Sequence, residues 1–176
     1  MMNMNDIVVV PYEEGWARRF DEERWLIEEA VDGLQYRVHH IGSTSVEGLQ
    51  AKPIIDILLE VADLKELDGR SCSFEAIGYE CLGEFGMPGR RYYRKGGNSR
   101  THQIHAFELG SADVQRHLAF RDYLRAHPVV AQEYGELKQR VAKACRHDIT
   151  LYSEGKADFV KLHEQRALAW LKDTQP

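Results

Sequence analysis

His39-His40-Ile41-Gly42-Ser43-Thr44-Ser45-Val46-Glu47-Gly48-Leu49-Gln50-Ala51-Lys52-Pro53-Ile54-Ile55-Asp56-Ile57 is the stretch on which the fold reading turns. The residues Tyr36–Ile41 predict a strand and Gly42-Ser43 a turn. Thr44-x-x-Glu47 matches a capping box, so a short helix is expected to start at Ser45 and stop at Pro53. Ile54–Val61 is apolar at nearly every position and reads as a buried central strand. Alternation along it sets Asp56, Leu58 and Glu60 on one face and Ile55, Ile57 and Leu59 on the other. A carboxylate bracketed by apolar residues is costly to bury unless it meets a cation or donors. Two readings stand side by side. Gly42, Ser43, Thr44 and Ser45 can present amides and hydroxyls to a phosphate while Asp56 holds the accompanying Mg²⁺. Alternatively, the hydroxyls only cap a helix and Asp56 only braces the turn. The spacing is neither that of a P-loop nor G-x-G-x-x-G, which argues against a dinucleotide fold.

Outward from this stretch, Ile7–Val10 reads as a short strand and Glu13–Asp32 as a helix that Gly33 ends, with Trp16, Phe20, Ile27 and Val31 on one face. Asp63–Gly78 is mostly helical, and Tyr79–Phe85 reads as a strand. Arg90–Lys95 and Arg100–Glu108 form a hairpin around Gly96-Gly97-Asn98. Three helices follow: about Asp113–Ala126, Pro128–Arg146, and one capped by Ser153 that runs to Lys172. Strands come first and helices last, an α+β arrangement. At 176 residues a single domain is expected, with a sheet core over about 1–110 and a helical part over about 111–174.

The net charge of −5 disfavours DNA and RNA as partners, so a polyanion site must be a local patch. Cys72, Cys81 and Cys145 form no C-x-x-C pair, which argues against a zinc knuckle or a disulfide framework. Met1–Asp6 lacks the pattern of a secretory leader and no apolar run approaches membrane-spanning length, so a cytoplasmic protein with no membrane partner is expected. Oligomeric state is not legible.

Other candidates lie further along the chain. On the strand Thr101–Phe107, His102 and His105 point to opposite faces and cannot share a metal. His105, on the side of Thr101 and Gln103, is the candidate base or metal ligand, the alternative being a hydrogen-bonded sheet histidine. Arg90, Arg91, Arg94, Lys95 and Arg100 suit phosphate, or they guard a sheet edge. Alternation aims Arg91, Tyr93 and Lys95 one way and Arg90, Tyr92 and Arg94 the other, so half the cluster at most serves one pocket. Lys52 lies close to Asp56 and can pair with it or with a phosphate. Lys156, placed in the first turn of the last helix, is a cation where the helix dipole disfavours one, which a bound anion or solvent would compensate. One of Arg121 and Asp122 can face the cleft. His39 and His40 are assigned no chemistry, and His117, His127, His147 and His163 read as helix-surface or helix-end residues.

The run His40–Ile57 resembles the GrpB family. So do Pro11-Tyr12 with Trp16, Thr101–Phe107, His117-Leu118-x-Phe120-Arg121-Asp122-Tyr123-Leu124, Tyr134-x-x-Leu137-Lys138 and Tyr152-x-x-x-Lys156-x-x-Phe159-Val160. The resemblance covers nearly the whole chain and implies a nucleotidyltransferase-like mixed sheet with packed helices. A related domain is joined to dephospho-CoA kinase in some proteins. The implied function is binding of a Mg-nucleotide or phosphorylated small molecule, with nucleotidyl transfer as the activity or a non-catalytic binding module as the alternative. In that setting Asp56 is the metal ligand and Gly42, Ser43, Thr44, Ser45, Lys52, Arg91, Lys95, Arg121 and Lys156 are candidate phosphate contacts. Nucleotidyltransferases of this kind carry Asp-x-Asp or Asp-x-Glu after the Gly-Ser turn, gripping two metals about 4 Å apart. Here Leu58 stands at the second position and Glu60 lies too far along the strand to replace it, which leaves a one-metal or metal-free site.

Overall fold

Because side chains on a strand alternate, Ile55–Val61 can serve two layers at once, and the molecule is built around that division. The computed structural model describes residues 7–174; Met1–Asp6, where no leader is read, lie outside the described residues. Helix α1 spans Gly15–Ala30, strand β1 Tyr36–Ile41 and β2 Ile55–Val61. Short helices α2 (Leu64–Asp68) and α3 (Ser71–Ala76) precede β3 (Tyr79–Cys81), β4 (Arg91–Lys95) and β5 (His102–Glu108). Helices α4 (Ala112–Ala126), α5 (Pro128–Ala144) and α6 (Ile149–Thr174) complete the chain. The strands form one five-stranded mixed sheet of order β1-β2-β5-β4-β3, in which only β2 and β5 run parallel. The α+β expectation holds, with every strand before the helical last third.

One face of the sheet presents Ile55, Ile57, Leu59, Val61, Tyr93, Ile104 and Ala106 to Trp16, Phe20 and Ile27 of α1 and to Leu67 and Phe74. The other face carries Ile41, Leu58 and Phe107 against Val114 of α4. A further apolar cluster joins α4, α5 and α6 to Val46 and Leu49, so the late helices lean on the loop that leads into β2. Among the described residues no helix is long and apolar enough to cross a membrane. All three cysteines are free thiols.

Four local expectations are corrected. Ile7–Val10 is not a strand: Val10 alone bridges Ala51, through backbone bonds of 2.9 and 3.0 Å. The capping box does not form. The turn after Gly42 is a single 3-10 turn, Ser43–Ser45, and Val46 is already extended. The Thr44 hydroxyl is engaged by His40 Nε2 at 2.9 Å, and Ser45 Oγ donates to the Gly42 carbonyl. Gly69 and Arg70 split the Asp63–Gly78 helix into two. Helix α6 starts at Ile149 because Asp148 Oδ1 accepts from the amides of Thr150 and Leu151, so Ser153 lies inside the helix. Lys156 is therefore beyond the first turn, where the helix dipole does not disfavour a cation.

Candidate functional site

Gly42 closes β1 with φ 72° and ψ −173°, a conformation that glycine adopts readily. A Cβ there would sit 2.7 Å from Asp56 Oδ2. The missing side chain lets the turn lie directly against the carboxylate. Asp56 pairs with Ile41 across β1 and with Gln103 across β5, which places it where the sheet face with Leu58 opens under the late helices. In the amide orientation that satisfies both of its ends, Gln103 donates to Asp56 Oδ1 at 3.2 Å and accepts from Arg100 at 3.2 Å. His105 Nε2 stands 3.5 Å from Asp56 Oδ1.

These residues border a cavity of about 350 Å³ whose opposite wall is α4, α5 and α6. Gly42, Ser43, Thr44, Lys52, Asp56, His105 and Lys156 all line it. Asp56 is not sealed in the protein: its side chain is 31 % exposed. Phe120 and Val160 give the wall an apolar part.

The remaining expected contacts lie elsewhere. Ser45 faces a separate depression with Tyr12, His40 and Arg125. Arg121 donates to the His40 carbonyl at 3.2 Å and pairs with Asp122, outside the cavity. Arg91 and Lys95 are on the wrong face of the sheet. β4 sends them toward α1 and α2, where Arg91 grips both oxygens of Asp68 and Lys95 meets Glu23 at 2.6 Å. Arg90 and Arg94 are also engaged, by the Glu84 and Phe85 carbonyls and by Glu80. These four cations of the hairpin are thus engaged away from the cavity, while Arg100 turns to Gln103.

Sequence reading overlooked Arg116, His117, Lys138, Tyr152 and Glu164 as cavity-lining residues. His117 is not a helix-surface residue. It stacks near His105, with centroids 5.8 Å apart, and burial first, then His105 and Arg116, pull its pKa down to about 3. Arg116 is held by Glu164 at 2.9 Å and Asp113 at 3.0 Å. Lys138 carried a legible signal: Ala131, Tyr134, Gly135 and Lys138 recur at helical spacing on the buried face of α5, and a lysine there breaks the apolar pattern. It is 2 % exposed, and its Nζ has no hydrogen-bond partner among the described residues.

The three cavity lysines shape the electrostatics. Lys52 Nζ and Lys156 Nζ lie 4.9 and 4.6 Å from the Tyr152 ring, and Lys138 Nζ lies 4.6 Å from the Tyr134 ring. Burial lowers the pKa of all three. Lys138 falls to about 7, with Lys156 and Lys52 adding repulsion, and Lys156 falls to about 8, with Lys52 adding repulsion. Asp56 opposes these shifts. The arrangement gathers three lysine side chains around one carboxylate.

The protein offers a Mg²⁺ in this cavity one carboxylate and no second to complete a two-metal pair. That ion takes oxygen ligands, usually one or two carboxylates completed by water and phosphate. Asp56 is one carboxylate, Glu164 is committed to Arg116, and Leu58 is fully buried in the apolar layer. Glu60 is taken by His39 and by the Gly110 amide. Among the described residues no three His, Cys, Asp or Glu side chains gather as a metal site.

Residues 6–166 match a family model described as GrpB protein. The chain is 43% identical over 166 residues to UPF0157 protein YqkA of Bacillus subtilis (strain 168), covering 94% of this chain and 48% of that protein. It thus spans about half the length of that relative. It is 32% identical over 164 residues to the glutamate-rich protein GrpB of Alkalihalophilus pseudofirmus, covering 90% and 94% of the two. The crystal structure of conserved protein GrpB from Enterococcus faecalis superposes with a TM-score of 0.90 at 42% identity, covering 93% of this chain and 99% of that one. Weaker likenesses reach a Mycobacterium leprae dephospho-CoA kinase, 25% identical over 166 residues, and Cid1 poly(U) polymerase, TM-score 0.47 at 11% identity. They carry no argument about activity.

Proposed function

The chain belongs to the GrpB family, and on that footing we propose that it binds a nucleotide or another phosphorylated small molecule in the Asp56 cavity. The phosphates lie against Lys52, Lys138 and Lys156, and the organic part lies toward Phe120 and Val160. One observation carries this reading: three lysine side chains converge on a cavity in which Asp56 is the one carboxylate not tied to an arginine, and Lys138 Nζ is buried there without a hydrogen-bond partner among the described residues. An uncompensated buried cation is costly, and a bound anion removes that cost. The hydroxyls of Ser43 and Thr44 add polar groups on the same wall.

Thermal melts with nucleoside mono-, di- and triphosphates and sugar phosphates test it. Ligand at about a hundredfold its Kd adds about 2.7 kcal/mol of stability, a clear rise in Tm. A flat Tm across the panel at millimolar concentration would refute the reading.

A second reading, nucleotidyl transfer, is favoured by the Asp56–His105 pair. A carboxylate 3.5 Å from an imidazole nitrogen can orient the ring to take a proton from an acceptor hydroxyl. Incubation with labelled triphosphates and a metabolite extract separates the two. Label transfer that disappears in Asp56→Asn and His105→Gln supports the enzyme. Stabilisation without transfer supports a binding module.

A further inference from the structure

We infer that Lys52, Lys138 and Lys156 stand in for divalent metal, so that the bound species is the metal-free polyphosphate rather than its magnesium complex. This rests on the phosphate-binding reading above and specifies the ligand of that same cavity. The first support is the carboxylate count. The position that would complete a metal pair is Leu58, packed among Ile41, Phe107 and Val114, and the next acid on that face, Glu60, is consumed by His39 and Gly110. The second is the charge balance. Arg116 is matched by Glu164 and Asp113, so three ammonium groups face Asp56 alone and leave the cavity net positive. A ligand arriving with its own dication would add positive charge to a pocket that already has an excess. A free polyphosphate supplies the opposite.

The third support is Lys138, an amine 2 % exposed that lines the cavity and has no hydrogen-bond partner among the described residues. Ammonium groups are point donors suited to phosphate oxygens. The lysines also come from three segments and rest on two different rings, Lys52 and Lys156 at Tyr152 and Lys138 at Tyr134. Three mutually repelling lysines at two adjoining rings match the several negative charges of a diphosphate or triphosphate better than the fewer of a monophosphate.

Calorimetric titration of the wild-type protein with AMP, ADP and ATP, each in EDTA and in excess Mg²⁺, decides the matter. The expected result is ATP and ADP binding in EDTA at least as tight as in Mg²⁺, with AMP weaker by about tenfold. Lys138→Met should weaken ATP by about tenfold or more, and Lys138→Arg should weaken it less. Binding that EDTA abolishes and Mg²⁺ restores would overturn the inference and leave the phosphate-binding reading intact. AMP binding as tightly as ATP would overturn the assignment to polyphosphates. No binding under either condition would overturn both this inference and the reading beneath it. The EDTA comparison uses the unaltered protein, so it stands even if a lysine variant does not fold.

Discussion

Lys138 is where stability and the proposed ligand recognition oppose each other. Its ammonium is buried, and its pKa stands at about 7 in the folded chain against 10.5 as the ordinary value. Between those two pH values the unfolded chain holds a proton that the folded chain lacks, so this residue makes stability rise with pH across that window. Lys138→Met removes the penalty. The variant should be more stable than the wild type by on the order of 2 kcal/mol near neutral pH, with the gain fading as pH approaches 10.5. Chemical denaturation at several pH values measures this, and a destabilised variant would show that the lysine has a structural role instead. Gly42 makes the opposite kind of contribution. Gly42→Ala puts a methyl group 2.7 Å from Asp56 Oδ2 at φ 72°. It should cost about 1–3 kcal/mol and weaken ligand binding by displacing the carboxylate. Unchanged affinity in a folded Gly42→Ala protein would remove Asp56 from the site.

At the scale of elements, the site depends on how closely α5 and α6 approach. Gly155 lies against Val141, where a Cβ would come within 2.6 Å of Cγ1 and 2.9 Å of Cγ2. That contact sets the spacing between the helices that carry Lys138 and Lys156. Gly155→Ala gains up to about 1 kcal/mol of helix propensity and loses about 1–3 kcal/mol to overpacking. The expected outcome is a lower Tm and weaker ligand binding, read by melting and titration; a higher Tm with full affinity would mean that the helices re-pack freely. The start of α6 shows why element boundaries were hard to read. Asp148 and Ser153 are both of residue types that cap helices, and it is Asp148 Oδ1 that accepts from the amides of Thr150 and Leu151. Five residues of error moved Lys156 from a supposed helix terminus into the interior of the cavity wall.

At the scale of the whole molecule, the sheet separates an apolar, structural face from the face that borders the Asp56 cavity. On the structural side, Glu23 is buried and accepts from Tyr79 at 2.8 Å and Lys95 at 2.6 Å. Lys95→Met leaves that carboxylate short of a partner and should cost about 2 kcal/mol while leaving ligand affinity unchanged. A matching loss of affinity in the folded variant would mean that the two faces are coupled. The sequence by itself determined the strands around Gly42 and Asp56, the alternation that splits Asp56 and Leu58 from Ile55 and Ile57, the hairpin, the three late helices and the family. These rest on short-range periodicity, glycine conformations and local motifs, which neighbouring residues dictate. Only the tertiary structure decided which cations meet Asp56. It turned Arg91 and Lys95 to the far face through the antiparallel register of β4 on β5, and it brought in Lys138 and Lys156, each more than eighty residues downstream of Asp56. Long-range packing sets charge convergence of that kind, and no local pattern in the chain encodes it.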